Sequence, residues 1–316
     1  MRTYFFTLDG VVKAVEDVCF SLGLGDTLGI VGESGSGKSV TAQSIMRIVP
    51  EPSGRIVSGS ILFKGQELIT LPEREMGKIR GNKIAMIYQE PMTALNPAFT
   101  VGEQVSEVFR VHQGLSKKEG LIRSIQLLEQ VGIPSPENSI KAYPHQLSGG
   151  MRQRVIIAMA IACNPDILIA DEPTTALDVT IQAQIIDLIL DLKEQLGTSL
   201  LLISHDLGVV ANMVNRMIVM YGGNVVESGC VKDVFKTPSH PYTQCLIECI
   251  PKIGRKTDTL KEIPGVVPNL LRLPPGCKFA NRCPKVMDIC RTEEPALFEV
   301  DRDHYSRCWI EKRKTL

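Results

Sequence analysis

Several short groups of residues in this chain have the types and spacing that chemistry needs. The stretch "GESGSGKS" has the spacing G-x-x-x-x-G-K-[ST] from Gly32 to Ser39, after an apolar run and before a helical pattern. Such a loop can turn its backbone N–H groups inward around phosphate oxygens. Gly32, Gly35 and Gly37 let the backbone curl, the following helix adds its positive end, Lys38 reaches the β and γ phosphates, and Ser39 holds Mg²⁺. The candidate nucleotide set is Gly32, Glu33, Ser34, Gly35, Ser36, Gly37, Lys38, Ser39 and Val40.

The run "ILIADE" ends in two carboxylates, Asp171 and Glu172. Acids at the carboxyl end of a strand sit over the crevice where ligands of open α/β sheets bind. Asp171 is then expected to orient Mg²⁺, directly or through water, and Glu172 to face the attacking water as general base. A guanine reader of the form Asn-Lys-x-Asp is missing, because the single Asn-Lys pair, Asn82-Lys83, is followed by Ile84 and Ala85. Adenine is the expected base.

In "HQLSGGMRQR", Ser148, Gly149 and Gly150 precede a helical run, so a hydroxyl and bare backbone amides stand at a helix N-terminus. A helix end alone offers only about 0.3–2 kcal/mol toward an anion, so this second site needs other donors. It suits a nucleotide held by a partner subunit.

Cys277, Cys283, Cys290 and Cys308 are separated by five, six and seventeen residues. Structural zinc sites pair ligands about two to four residues apart, whereas iron–sulfur cysteines tolerate looser spacing, and Pro284 follows Cys283 as a proline follows a ligand in ferredoxin-type runs. A [4Fe–4S] cluster is expected in preference to Zn²⁺, with four unligated thiols as the bland alternative. Five further cysteines are scattered without motif spacing, which suits thiols in a reducing compartment.

These groups need a frame, and the sequence supplies one. The 316 residues are 44% hydrophobic, enough for one large core or two modest ones. Thirty-five basic residues balance thirty-five acidic ones, so no net field points to nucleic acid. No apolar run approaches the roughly 18 residues that span a bilayer, and the N-terminus lacks an apolar signal core; a cytoplasmic protein is expected. Apolar runs at 27–32, 83–89, 166–172, 199–205 and 216–223 alternate with helical patterns, which indicates a largely parallel α/β sheet. Between Thr100 and Tyr143 only helical spacing occurs, so an all-helical insert is expected over about 92–150. Nine of nineteen prolines fall from Pro238 to Pro295, and a small extension is expected over 237–316, after a nucleotide-binding domain over 1–236.

Taken in order, the motifs resemble those of the ATP-binding subunits of ABC transporters: "GESGSGKS" looks like Walker A, Gln89 in "IYQEP" like the Q-loop, "LSGGMRQR" like the signature, "ILIADE" like Walker B, "ALD" at 176–178 like the D-loop, and His205 in "SHD" like the switch histidine. Met151 replaces the glutamine commoner after LSGG. The resemblance implies a P-loop NTPase fold and a head-to-tail dimer that sandwiches ATP and Mg²⁺ between one subunit's Walker A and the other's signature. It gives His205 the γ-phosphate, and Gln89 the Mg²⁺, beside Ser39 and Asp171, and the coupling to the helical insert. "QEPMTALNPAFTVGEQ", "HPYTQCL" and "PGVVPNLLRLPPGCKFANRCP" resemble the dipeptide/oligopeptide and nickel importer branch, D-type. That branch implies a second, related ATPase, two integral-membrane permease subunits, an extracytoplasmic solute-binding protein, and a position on the inner face of the membrane. Relatives usually carry a short strand before the position of Arg2, so a truncated start is an expectation, and the adenine-stacking aromatic is Tyr4, Phe5 or Phe6. Two rivals use the same motifs: a soluble ABC ATPase of DNA repair or translation, and an ATP-sensing module that binds without hydrolysis. Intact Glu172 and His205 disfavour the second.

Overall fold

The computed structural model describes residues 1–89, 94–175, 177–250 and 262–314, the side chains of 313 and 314 excepted. Residues 90–93 after Gln89, Ala176 of the "ALD" stretch, and 251–261 of the proline-rich region lie outside the described residues. In chain order the strands are β1 (Arg2–Thr7), β2 (Gly10–Val15), β3 (Thr27–Val31), β4 (Gly54–Ser58), β5 (Leu62–Phe63), β6 (Gln66–Glu67), β7 (Ile84–Ile87), β8 (Ile167–Asp171), β9 (Ser199–Ser204), β10 (Arg216–Tyr221), β11 (Asn224–Cys230), β12 (Phe298–Asp301) and β13 (His304–Ser306). All five apolar runs of the sequence contain strands.

The chain forms two compact units. One comprises Met1–Ser21, Leu28–Ile69 and Ile203–Leu316, the other Leu22–Thr27 and Thr70–Leu202. The expected extension therefore groups with the phosphate-loop segment, and the helical insert with the "ILIADE" strand.

In the first unit, β3 pairs in parallel with β10, Leu28 opposite Arg216 through Val31 opposite Val219. All five residues of β3 are buried, which is why it reads as an unbroken apolar run. β10 turns into β11 through Gly222 and Gly223, whose φ values of 55° and 82° suit the two-residue hairpin turn that matches strand twist. β11 pairs with β13 and β13 with β12, so the extension adds two strands at the β11 edge. β1 pairs antiparallel with both β2 and β4. This antiparallel sheet was not foreshadowed by the apolar runs, because β1 and β4 are only partly buried.

In the second unit, β7 pairs in parallel with β8, Ile84 opposite Ile167 through Ile87 opposite Ala170. Helices Val101–Gln113 and Lys117–Gln130 each begin with a capping box, Thr100 with Glu103 and Ser116 with Glu119, and Gly114 ends the first at φ 69°. No strand lies between 100 and 143 among the described residues. Helices Gly149–Ile161 and Val179–Leu196 complete this unit. Among the described residues, no helix of the chain is long and apolar enough to cross a membrane.

The capping boxes show what holds the insert in register. Thr100→Ala removes the hydroxyl that accepts the Glu103 N–H, at a cost of about 1 kcal/mol. Hydrogen exchange should then quicken in 101–113 while β7 and β8 keep their protection. Unchanged exchange in 101–113 would show that the cap does not hold this helix.

Candidate functional site

The phosphate loop leaves β3 at Gly32 and enters helix Lys38–Met46. Gly37 caps that helix at φ 102°, and a Cβ there would stand 2.3 Å from the Ala14 carbonyl oxygen. Only glycine fits such a conformation and such an approach. The first N–H groups of the helix, from Lys38 on, have no acceptor within the helix itself. Lys38 is buried and folds back over the loop, its Nζ donating to the carbonyls of Gly32 at 2.8 Å and Glu33 at 3.1 Å. The Ser36 hydroxyl is buried and has no hydrogen-bond partner in the structure. A cation, the N–H groups of a helix start and a spare buried hydroxyl on one curled loop are a donor set that fits phosphate. Ser34 and Gly35 are exposed, and Ser39 and Val40 half-buried. The Glu33 carboxylate is bound by Arg282, and its backbone N–H donates to the Tyr242 hydroxyl at 2.9 Å.

In the second unit Asp171 ends β8 and Glu172 follows it. Asp171 is 3% exposed. Glu172 lies just beyond the strand at φ 46°, a left-handed conformation that costs a non-glycine residue about 1–2 kcal/mol. Its Oε2 accepts from the Gln89 amide nitrogen and from the Thr175 hydroxyl, each at 3.0 Å. Gln89 and Glu172, 83 residues apart, are thus brought together, and the Gln89 Oε1 is left as an acceptor. Asp171 and Gln89 offer the oxygen ligands a hard cation takes, so they fit Mg²⁺. Thr175 carried no signal of its own beyond lying three residues past Glu172.

Ser148 caps helix Gly149–Ile161, its oxygen accepting from the Met151 N–H at 3.3 Å while the side chain stays exposed. Gly149 and Gly150 sit where the helix start meets the next helix: a Cβ on Gly150 would lie 2.9 Å from Ile181, and one on Gly149 3.5 Å from Leu177. The glycines therefore have a packing reason as well as bare amides. His205 is exposed at the end of β9, one residue before Asp206 caps helix Leu207–Met213. Of the three aromatics, Tyr4 donates its hydroxyl to Glu16 and Phe6 lies under Arg55, while Phe5 falls on the other face of β1.

Cys277, Cys283, Cys290 and Cys308 all line one small cavity in the first unit, together with Phe279, Ala280, Met287 and Trp309. Cys277 N–H donates to the Cys290 carbonyl at 2.8 Å, and Gly276 is required there because a Cβ would stand 2.3 Å from the same oxygen. Burial pushes the Cys277 thiol up to about 12 and the Cys308 thiol to about 11, with the neighbouring cysteines adding to both. The expected metal centre is not formed as a ligand shell: among the described residues, no three His, Cys, Asp or Glu side chains converge to hold a metal ion. The thiols reach the cavity from separate segments of the chain, Cys290 from the short helix Ile289–Thr292. A single tetrahedral zinc needs sulfurs drawn in to about 2.3 Å of one point, and that arrangement is absent.

A family model described as "ABC transporter" matches residues 15–175, and one described as "Oligopeptide/dipeptide transporter, C-terminal region" matches 226–290. The chain is 51% identical over 310 residues to the oligopeptide transport ATP-binding protein AppD of Bacillus subtilis (strain 168), covering 98% of this chain and 94% of that one. It is 49% identical over 314 residues to the dipeptide transport ATP-binding protein DppD of the same organism, covering 99% and 94%. A solved dimeric structure of a post-hydrolysis state of the ATP-binding cassette MJ0796 bound to ADP and Pi matches with a TM-score of 0.65 at 28% identity, over 73% of this chain and 96% of that one.

The crowding at Gly37 can be tested directly. Gly37→Ala should abolish MgATP binding, measured by calorimetry, while far-ultraviolet circular dichroism stays unchanged. Binding at wild-type affinity would show that the loop can reshape around a side chain.

Proposed function

The chain belongs to the ABC transporter family, and we propose that it is the ATP-hydrolysing subunit that powers import of di- or oligopeptides. The observation that carries the hydrolytic part is Glu172, a carboxylate held on a strained backbone by Gln89 and Thr175. The match of 226–290 to the oligopeptide/dipeptide transporter C-terminal region supports the cargo class.

In this reading Gly32–Ser39 wraps the phosphates, with Lys38 leaving the loop carbonyls for the β and γ oxygens. Mg²⁺, when bound, supplies charge neutralisation on the phosphates; Asp171 and Gln89 offer it oxygens, and the phosphate loop offers the Ser39 hydroxyl. Glu172 takes the proton of the attacking water, and His205 contacts the γ-phosphate. Ser148, Gly149 and Gly150 serve a nucleotide held by a second, related ATPase. Two membrane permease subunits hold the pair at the inner face of the membrane, fed by an extracytoplasmic binding protein. Glu172→Gln in the complex purified from membranes should keep ATP binding and lose turnover by about 10²-fold or more, within the range of general acid–base contributions. Substantial steady-state hydrolysis by that complex would remove Glu172 from the role of base, and failure to co-purify with any integral-membrane protein would remove the transporter reading.

Residues 237–316 form, in the same reading, an extension that carries a [4Fe–4S] cluster on Cys277, Cys283, Cys290 and Cys308. Support comes from four soft donors that line one cavity, since cysteine thiolates are the ligands of such clusters. The cluster would staple a proline-rich region. Anaerobic purification should yield about four irons and four acid-labile sulfides per chain with visible absorption, lost on Cys→Ser at any of the four positions. Colourless protein with one zinc, or with no metal, would overturn it.

A further inference from the structure

Glu33 sits immediately after Gly32, and a carboxylate free to turn into a phosphate loop would repel phosphates. The structure shows what its charge is committed to. Arg282 donates to it twice, Nη1 to Oε2 at 2.6 Å and Nη2 to Oε1 at 3.0 Å. This two-pronged geometry is the strong, directional form of the arginine–carboxylate bond. The Arg282 side chain is 5% exposed and that of Glu33 27%, so the pair is largely shielded from water and salt.

The guanidinium is itself fixed. Its Nε donates to the Pro264 carbonyl at 3.0 Å, Nη2 to the Ile263 carbonyl at 3.1 Å, and Nη1 to the Tyr221 hydroxyl at 3.3 Å. Glu33 is also held through its backbone: its N–H donates to the Tyr242 hydroxyl at 2.9 Å, and its carbonyl accepts from Lys38 Nζ. One residue of the loop thus meets the extension through its side chain and the phosphate-seeking lysine through its carbonyl. We propose that Arg282 is a positioning residue of the nucleotide site, holding the Glu33 carboxylate toward the extension and thereby keeping the loop in a shape that admits phosphate. The proposal rests on the reading of Gly32–Ser39 as the phosphate loop. Removing one partner of a shielded ion pair leaves an uncompensated charge, and here that charge would stand on the loop itself.

The test is a double-mutant cycle on the full chain, with the MgATP Kd read by calorimetry and folding by thermal unfolding. Arg282→Met should raise Kd about ten-fold, equivalent to about 1.4 kcal/mol. Adding Glu33→Gln should bring Kd back to within about three-fold of wild type, because the unpaired carboxylate is gone. A merely structural role for Arg282 would not be rescued from the loop side, so equal weakening in the single and double variants overturns the proposal, as does wild-type Kd in Arg282→Met. If Arg282→Met does not fold, the same cycle is run with Arg282→Lys, which keeps the charge and loses the fork; a smaller weakening rescued by Glu33→Gln supports the proposal and no weakening overturns it. Lys38→Ala is the control: tight binding by that variant would overturn the phosphate-loop reading itself.

Discussion

The phosphate loop passes between two strands with no room for a side chain on either flank, and much of the first unit follows from that. A Cβ at Gly32 would stand 2.3 Å from the Met220 carbonyl oxygen, and one at Gly37 the same distance from that of Ala14. Close backbone approach of this kind needs the neighbours fixed as well as the loop. Backbone bonds do so: Gly223 N–H donates to the Ser36 carbonyl at 3.1 Å, and Glu16 N–H to the Gly223 carbonyl at 2.9 Å. The glycine pair that turns β10 into β11 is therefore also a clamp on the loop, although it lies some 190 residues later in the chain. A loop held by backbone on both sides meets its ligand preorganised, so little binding energy goes into ordering it.

In the second unit the same logic appears as strain. Two adjacent carboxylates end one strand, yet only Glu172 takes a left-handed conformation. Asp171 finishes the strand in regular geometry and stays buried. The turn at Glu172 swings its side chain to Gln89 and Thr175, whose two bonds offset a conformational cost of about 1–2 kcal/mol. Adjacent acids are thereby given different surroundings, Asp171 buried at the strand end and Glu172 turned to Gln89 and Thr175.

Such features differ in how far the sequence reveals them. β3, β7, β8, β9 and β10 were legible because strands buried on both faces must be apolar throughout. β11 was less so: "NVVESGC" carries Glu227, which is fully buried because it accepts from the Ser239 and His240 N–H groups and pairs with His304, partners that lie 12 to 77 residues away. The phosphate loop was legible because strand, loop and helix are contiguous. The Arg282–Glu33 pair was not, since its partners are 249 residues apart and Arg282 sits in a stretch whose evident signal is cysteine. The strain at Glu172 had no signature either, because an acid at positive φ is written with the same letter as any other.

The distance between those partners bears on what the extension is. Phe279, Tyr221 and Tyr242 are all buried and pack as a triangle with ring centroids 4.6–5.3 Å apart, a contact that burial and aromatic geometry both favour. β13 pairs along β11, covering an edge that would otherwise expose unpaired backbone groups. Between these anchors the turn from Cys277 to Cys283 divides its residues among three tasks: the cysteines face the cavity, Phe279 packs into the triangle as well as lining the cavity, and Arg282 holds Glu33. A seven-residue turn cannot shift one of these groups far without moving the others. The cysteine cavity and the Gly32–Ser39 loop are therefore joined through the backbone of that turn, within the one compact unit that holds both.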